Sequence, residues 1–181
     1  MRRLTVPLGA AAAAVLLTLA VTSITSRAAD TSYAEDRAAI EDLQARYLFA
    51  MDFGHPDLYV KLFTEDGVLD IGNGEIRGRK AIHEVIARMP NSRTSENGPR
   101  PASGRHNISN IVLKVNGNKA TGRAYWFHYS NNNPERRGVF DGYGHYEDEL
   151  VKVNGQWLFT KRRIYNEGRA EWAHKGGNPA W

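Results

Sequence analysis

The 181-residue chain carries 24 basic and 20 acidic side chains and no cysteine. The lack of cysteine excludes disulfides and thiolate metal sites. The first 28 residues hold three arginines and no acid, so the remainder has 21 basic and 20 acidic side chains, which gives no support for nucleic-acid binding. About 150 residues then remain, enough for one domain with a core and a pocket.

The N-terminal segment has the features of a secretory signal peptide. A basic start precedes an apolar run at 4–21, and the small residues Ser26 and Ala28 precede a cleavage position before Ala29. An uncleaved anchor is the alternative, because the run approaches the roughly 20 residues that span a bilayer. The many alanines favour cleavage. We therefore expect a signal peptide at 1–28 and a periplasmic or secreted protein with no membrane contact after cleavage.

Three helices are predicted after this segment. Ser32 and Glu35 match a capping box, and apolar residues at helical spacing carry the first helix to about Phe53. Pro56 suits the first turn of a short second helix, and residues 79–88 read as a third. The helices therefore come early in the chain.

Strands follow and dominate the second half. A hairpin of strands 68–71 and 75–78 precedes the third helix, and segment 91–104 has no period and predicts a long loop near a cavity mouth. After this loop the apolar period becomes two, which predicts strands at 105–115, 119–130, 138–153 and 156–166. Helices followed by an antiparallel meander predict an α+β fold with helices packed on one face of a curved sheet.

Tyr47, Asp52 and His106 form the first set of candidate catalytic residues. A carboxylate can fix the tautomer of an imidazole, and the imidazole can move a proton at neutral pH. A phenol nearby could stabilise a developing oxyanion. His128 alternates with Trp126 on one strand face, where it is either a second acid or base or part of a packed wall.

Each candidate also has a structural alternative. Tyr47 lies on the apolar stripe of the first helix and could be a core tyrosine. Asp52 lies at the end of that helix, where the dipole disfavours a carboxylate, so it either has a purpose or is a surface aspartate beside a turn. His106 could be a strand-edge histidine at a loop exit.

Local strings along the chain carry a resemblance to a known family. They are Arg46-Tyr47 with Asp52, Leu62-Phe63-Thr64-Glu65-Asp66-Gly67, Gly78-Arg79-Lys80-Ala81-Ile82, Arg105-His106-Asn107-Ile108-Ser109-Asn110 and Gly155-Gln156-Trp157-Leu158-Phe159. With the element order, they make residues 32–167 resemble the SnoaL-like, or nuclear transport factor 2-like, superfamily. The resemblance implies one domain at 29–167 with a tail at 168–181. It also implies a cone-shaped α+β fold, with a curved antiparallel sheet and three helices on its concave side, and a homodimer or homotrimer.

Within this superfamily the polar residues are most similar to those of scytalone dehydratase and bile-acid 7α-dehydratase. The resemblance implies catalytic roles for Tyr47, Asp52, His106 and His128. The residues expected to contact the substrate are Trp126, Tyr146, Asn110 and Arg163, with Arg162 as an alternative to Arg163. Gly144 and Tyr146 depart from the scytalone dehydratase pattern, which has serine and asparagine there. The identity of the substrate therefore does not carry over.

These observations predict an exported, cofactor-independent lyase of the dehydratase type, or an isomerase, acting on an apolar, oxygenated cyclic or aromatic compound. Release of formaldehyde from an aromatic dimer is a related option. The rival is a non-catalytic small-molecule-binding or dimerisation module of the same fold. No zinc-binding spacing occurs, so no metal site is expected. His145 and His174 have no chemical neighbour in the sequence and receive no role.

Overall fold

The computed structural model describes residues 32–89, 94–95, 98–99 and 104–180. The predicted signal peptide lies outside these residues, as does most of the predicted loop at 91–104. A compact unit spans Ala38–Trp181, and a separate unit, Met1–Arg37, is described only at its helical residues 32–37. In the described part of the chain, no helix is both long and apolar enough to cross a membrane.

The three predicted helices are present. Helix α1 covers residues 32–52, α2 covers Pro56–Val60 with proline in its first turn, and α3 covers Arg79–Ala87. The helical spacing of apolar residues in α1 buries Ile40, Leu43, Tyr47 and Leu48. Gly54, with φ +67°, then takes the left-handed conformation that ends such a helix.

Eight strands follow the first two helices. They are β1 (Phe63–Asp70), β2 (Glu75–Arg77), β3 (Thr94–Ser95), β4 (Gly98–Pro99), β5 (Gly104–Asn116), β6 (Lys119–Ser130), β7 (Val139–Val153) and β8 (Gln156–Asn166). Six of them form one sheet in the order β2-β1-β8-β7-β6-β5, and β3 and β4 pair separately inside the predicted loop. The predicted strands of the second half therefore agree with the structure to within a residue or so.

The predicted α+β fold is confirmed, with one difference in the sheet. All neighbouring strands are antiparallel except β1 and β8, which run parallel from the pairing of Phe63 with Phe159 onward. This pair joins an early strand to the last one. The curved sheet is therefore mixed rather than antiparallel throughout, because β8, the last strand of the meander, lies parallel to β1.

The sheet has an inner face toward the core and an outer face. On β7, Tyr146, Asp148 and Leu150 are buried on the inner face, which packs against the apolar stripe of α1. His145 and Glu147 alternate with them and therefore lie on the outer face. This alternation separates two polar regions that are adjacent in sequence.

The C-terminal tail, residues 168–180, continues from β8. At its start the Glu167 amide donates to the Tyr143 carbonyl at 2.9 Å, and near its end the Arg123 guanidinium donates to the Pro179 carbonyl at 3.0 Å. Tyr143 and Arg123 belong to β7 and β6. The tail therefore crosses from β8 over its neighbouring strands.

Candidate functional site

Asp52 and His106 meet at the end of α1 and the start of β5. One Asp52 oxygen, Oδ1, lies 2.6 Å from His106 Nδ1, and the other, Oδ2, accepts the His106 main-chain N–H at 2.8 Å. The Asp52 side chain is only 4% exposed, and that of His106 is 22% exposed. A carboxylate only accepts hydrogen bonds, so Nδ1 donates, and in the neutral form of the imidazole Nε2 then keeps a free lone pair.

The second histidine, His128, packs against the first, with the two ring planes inclined by 38°. Their ring centroids are 4.2 Å apart, because the two residues are directly opposite each other on β5 and β6. His128 has its own carboxylate partner, since its Nδ1 lies 2.6 Å from Asp141 Oδ1. Asp141 is 41% exposed in its side chain, in contrast to the buried Asp52. The site therefore holds two His–Asp pairs in different surroundings.

A β-bulge supplies Asp141. His128 pairs with Gly142 and Tyr129 pairs with Phe140, which leaves Asp141 as the extra residue between them. A bulge redirects a side chain that regular pairing would place elsewhere. Asp141 could not be recognised from the sequence, because one extra residue in a strand disturbs the alternation of apolar and polar side chains only weakly.

Gly104 lets the backbone approach the second pair closely. A Cβ atom at this position would lie 2.2 Å from His128 Nε2, well inside van der Waals contact. Any side chain at residue 104 would therefore displace the His128 ring. Glycine at the first position of β5 is therefore required by the close approach of the His128 ring, a requirement that the sequence alone does not reveal.

Trp126 and Tyr146 form an aromatic wall next to His106. The Trp126 ring centroid lies 5.9 Å from that of His106 and 6.1 Å from that of Tyr146. The Trp126 indole N–H is fixed by the Tyr165 carbonyl at 2.9 Å. Tyr146 is 1% exposed, and burial raises the pKa of its phenol well above 10. Of the residues predicted to contact the substrate, Trp126 therefore lies beside His106, and Tyr146 packs against Trp126.

Tyr47 lies deeper in the core than predicted. Its ring contacts those of Tyr59, at 4.7 Å, and Tyr146, at 6.0 Å, and it reaches His106 only through Tyr146 and Trp126. Burial raises the pKa of Tyr47 despite the opposing effect of the Arg162 guanidinium. Its buried hydroxyl makes no hydrogen bond of normal geometry to the described residues. An oxyanion role for Tyr47 stays a prediction.

A buried ion pair occupies the inner face behind these aromatic rings. Arg162 donates to both Asp148 oxygens, at 2.8 and 2.7 Å, and both side chains are fully buried. Gln44 donates to the same carboxylate at 3.1 Å. Burial lowers the pKa of Arg162, but the Asp148 carboxylate more than offsets this and raises it. The guanidinium also lies 4.2 Å from the Tyr47 and Tyr146 ring centroids.

The two remaining predicted contacts, Asn110 and Arg163, are not joined to the histidines by any contact found in the described part of the chain. Asn110 is exposed, with φ +52°, at an irregularity in β5. Arg163 follows the buried Arg162 on β8 and therefore points to the outer face, where it lies 3.4 Å from Asp70 and over the Tyr165 ring. Their roles in substrate binding stay predictions.

A large groove lies on a different side of α1 from the two His–Asp pairs. Its volume is about 770 Å³, and α1 residues such as Phe49 and Phe53 line it together with Leu58 and Trp157. None of the predicted catalytic residues lines this groove. Because proton transfer needs acid and base groups at the reacting atom, we place the candidate active site at the histidines and not in the groove.

The fold and site can now be compared with known proteins. A family model described as a SnoaL-like domain matches residues 32–163. The chain belongs to the SnoaL-like family. No curated protein matches this SnoaL-like chain.

Several solved structures resemble the SnoaL-like chain. A protein of unknown function from Mycobacterium tuberculosis is 29% identical, with a TM-score of 0.61 over 72% of this chain and 76% of that one. A proposed scytalone dehydratase from Novosphingobium aromaticivorans is 28% identical, with a TM-score of 0.62 over 83% of this chain and 96% of that one. A nuclear transport factor 2-like protein with a cystatin-like fold from the same organism is 23% identical, with a TM-score of 0.66 over 82% and 93%, and shows the fold alone.

These comparisons confirm the predicted superfamily. They also restrict the function to what this SnoaL-like fold supports, an enzyme or a binding module, in a family that includes dehydratases and isomerases. The fold alone does not choose between these, so the choice depends on the side chains.

Proposed function

We propose that the protein is a cofactor-independent lyase of the dehydratase type, or an isomerase, that uses His106 as its base. The observation that carries this proposal is the double contact of Asp52 with His106, which fixes both the main chain and the ring. A histidine held in one tautomer with a free Nε2 lone pair is the arrangement that general-base catalysis needs.

In the dehydration reaction, His106 Nε2 removes a proton from a carbon atom of the substrate. The C–H electron pair forms a new carbon–carbon double bond as the bond between the neighbouring carbon and its hydroxyl breaks. His128, in its protonated form, donates a proton to the leaving hydroxyl, so that water departs. Asp52 and Asp141 each stabilise the positive charge of the histidine that they contact.

The closeness of the two imidazole rings supports a return of the proton after each cycle. At the end of the reaction His106 carries a proton and His128 has lost one. Ring centroids 4.2 Å apart allow a proton to return from one imidazole to the other through a single water. In an isomerase the same pair would remove a proton from one carbon and deliver it to another.

The surroundings of His106 favour an apolar, cyclic substrate. Trp126 presents its ring beside the imidazole and packs against the Tyr146 ring, and Ile108 lies opposite Trp126 on the neighbouring strand. Flat apolar surfaces with a few polar groups are typical of sites for ring compounds. Export and homo-oligomerisation stay predictions, and so does the position of the 91–104 loop at a cavity mouth, since most of this loop lies outside the described residues.

The test uses a panel of cyclic compounds that carry a hydroxyl two carbons from a carbonyl. The purified chain is incubated with each compound, and mass spectrometry detects loss of water, while incubation in D2O detects isomerisation as deuterium uptake. We expect turnover in the wild type and turnover lower by roughly 10²–10⁴-fold in His106→Ala. His83→Ala is the matched control, because His83 also contacts a carboxylate, Asp57, at 2.9 Å, but on the exposed side of α3.

The rival function is a small-molecule-binding module. It would show itself as compounds that bind to wild type and His106→Ala with equal affinity and are not converted by either. That result would contradict the proposed catalysis and would favour binding, for which the groove beside α1 offers enough volume.

A further inference from the structure

The outer face of β7 carries a cluster of side chains that the proposed reaction does not use. His145 and Glu147 are two residues apart on the strand and share this face, and His174 of the C-terminal tail lies against them. One nitrogen or oxygen atom from each of the three residues lies within 4.8 Å of the other two. The cluster therefore gathers metal-binding atoms from two separate segments.

His145 is enclosed between rings and carboxylates. Its side chain is 7% exposed, and its ring stacks on Tyr165 at a centroid distance of 4.5 Å. Its Nε2 lies 3.5 Å from Glu147 Oε1, and its Nδ1 lies 3.8 Å from Glu167 Oε1. Each nitrogen of the His145 imidazole therefore has one carboxylate near it.

His174 has a nitrogen without a partner. Its Nε2 lies 2.9 Å from the Gly177 carbonyl, and because a carbonyl only accepts hydrogen bonds, Nε2 donates and, in the neutral imidazole, Nδ1 keeps its lone pair. Nδ1 is buried and has no hydrogen-bond partner among the residues that the structure describes. A buried acceptor left unpaired costs free energy and calls for an explanation.

This hydrogen bond has a recognised counterpart in metal proteins. A histidine that binds a metal through one nitrogen commonly donates its other N–H to a backbone carbonyl or a carboxylate, which fixes the ring. His174 has that arrangement through Gly177. A metal ion on Nδ1 would supply the partner that the structure lacks.

The carboxylates complete a suitable set of donor atoms. Glu147 Oε2 lies 3.5 Å from the Arg123 guanidinium, which leaves Oε1 facing His145. Glu167 accepts the His174 main-chain N–H at 3.4 Å, so it steadies the tail beside the cluster. Two imidazoles with one carboxylate are a donor set typical of zinc and related ions.

We propose that His145, Glu147 and His174 bind a divalent transition-metal ion, with Zn²⁺ as the probe ion, and that this ion fastens the C-terminal tail to the outer face of the sheet. Around zinc, donor atoms lie about 3.3 Å apart, given metal–ligand bonds of about 2.0–2.2 Å. The His145–Glu147 distance of 3.5 Å already fits. Because all three donor atoms lie within 4.8 Å of one another, bringing them to zinc spacing needs a movement of at most about 1.5 Å in the tail.

The ion would join β7 to a segment that comes after β8. A cross-link between distant segments stabilises the folded chain, because the binding free energy is available only when both segments are in place. The site is on the opposite face of β7 from Tyr146, so it does not depend on the proposed reaction.

Calorimetric titration tests the proposal. The full chain, without an affinity tag and stripped with a chelator, is titrated with ZnCl2. We expect one ion per chain, an affinity at least about 100-fold lower in His174→Ala, and a clear loss in Glu147→Gln. His83→Ala should bind as the wild type does, since His83 lies near a carboxylate but outside the cluster.

A second measurement reports on the tail. Bound Zn²⁺ should slow proteolytic cleavage within residues 168–180 in the wild type and have no effect in His174→Ala. If His145→Ala did not fold, His174→Ala would still decide, because its position in the tail leaves the core intact. The proposal is overturned if the wild type binds no Zn²⁺, or if His174→Ala and Glu147→Gln both bind it with wild-type affinity.

Discussion

Asp52 and Asp148 are both buried carboxylates on the inner side of the molecule, but they have different partners. Asp148 contacts Arg162, which is always charged and, like Asp148, fully buried. Asp52 contacts His106, whose ring is 22% exposed and can gain or lose a proton. The Asp148–Arg162 pair is therefore closed off from solvent, whereas the Asp52–His106 pair lies beside a second histidine.

The difference separates a structural pair from a chemical one. A sealed Asp–Arg pair cannot exchange a proton with a substrate, and its removal would leave an unpaired charge in the core. An Asp–His pair with a free nitrogen at its edge can do chemistry at little cost to the fold. Mutations should therefore affect stability at Asp148 and turnover at Asp52.

The largest expected effect is on turnover. His106→Ala removes the proposed base and should lower kcat roughly 10²–10⁴-fold. Asp52→Asn keeps the shape but removes the charge that stabilises the imidazolium. Because both changes disable the same proton transfer, the double mutant should be little worse than His106→Ala. Single-turnover and steady-state rates on a substrate from the panel would measure this.

The second effect is on stability. Asp148→Ala leaves the Arg162 guanidinium unpaired in the core, so it should lower the free energy of unfolding by about 3–5 kcal/mol in urea titrations. Replacing both partners, as Asp148→Leu with Arg162→Met, should cost less than the single change. A loss below about 1 kcal/mol in Asp148→Ala would contradict the assignment of this pair to the fold.

A smaller effect is expected at the second histidine pair. Asp141 is 41% exposed, so water can replace part of its contact with His128. Asp141→Asn should therefore lower kcat only about tenfold, less than Asp52→Asn, with no measurable change in thermal stability. Equal losses in the two variants would show that burial of the carboxylate does not matter to the reaction.

The last effect appears only at alkaline pH. Burial raises the pKa values of Tyr47, Tyr59 and Tyr146 above the usual value of 10. In the unfolded chain these phenols lose their protons near pH 10, while in the folded chain they stay neutral. Stability should be unaffected below about pH 9 and fall as pH rises past 10. Urea titrations from about pH 9 to above pH 10 would detect the fall, and Tyr146→Phe should reduce it.

Much of the fold could be predicted because its signals are local. The apolar period of α1, Pro56 at the start of α2 and the period of two in the strands after residue 104 each act within a few residues. The parallel pairing of β1 with β8 could not be predicted from such signals, since it joins segments almost a hundred residues apart.

The candidate site was predicted only in part. The contact of Asp52 with His106 matched the family pattern, whereas Asp141 depends on a bulge that the period does not reveal. The burial of Arg162 was missed because arginine is rarely buried. His174 lies in a tail without periodicity, so its approach to His145 had no signal at all in the sequence.

The bulge at Asp141 has a consequence for how this site can change through evolution. Its carboxylate reaches His128 because β7 holds one residue more than β6 at this point. Deleting a single codon at this position would restore regular pairing between β6 and β7. Only the part of β7 that precedes Gly142 would shift. A gain or loss of the second carboxylate therefore needs neither a substitution in the core nor a change of His128. Relatives that differ by one residue in this hairpin would be expected to differ in the chemistry that they perform.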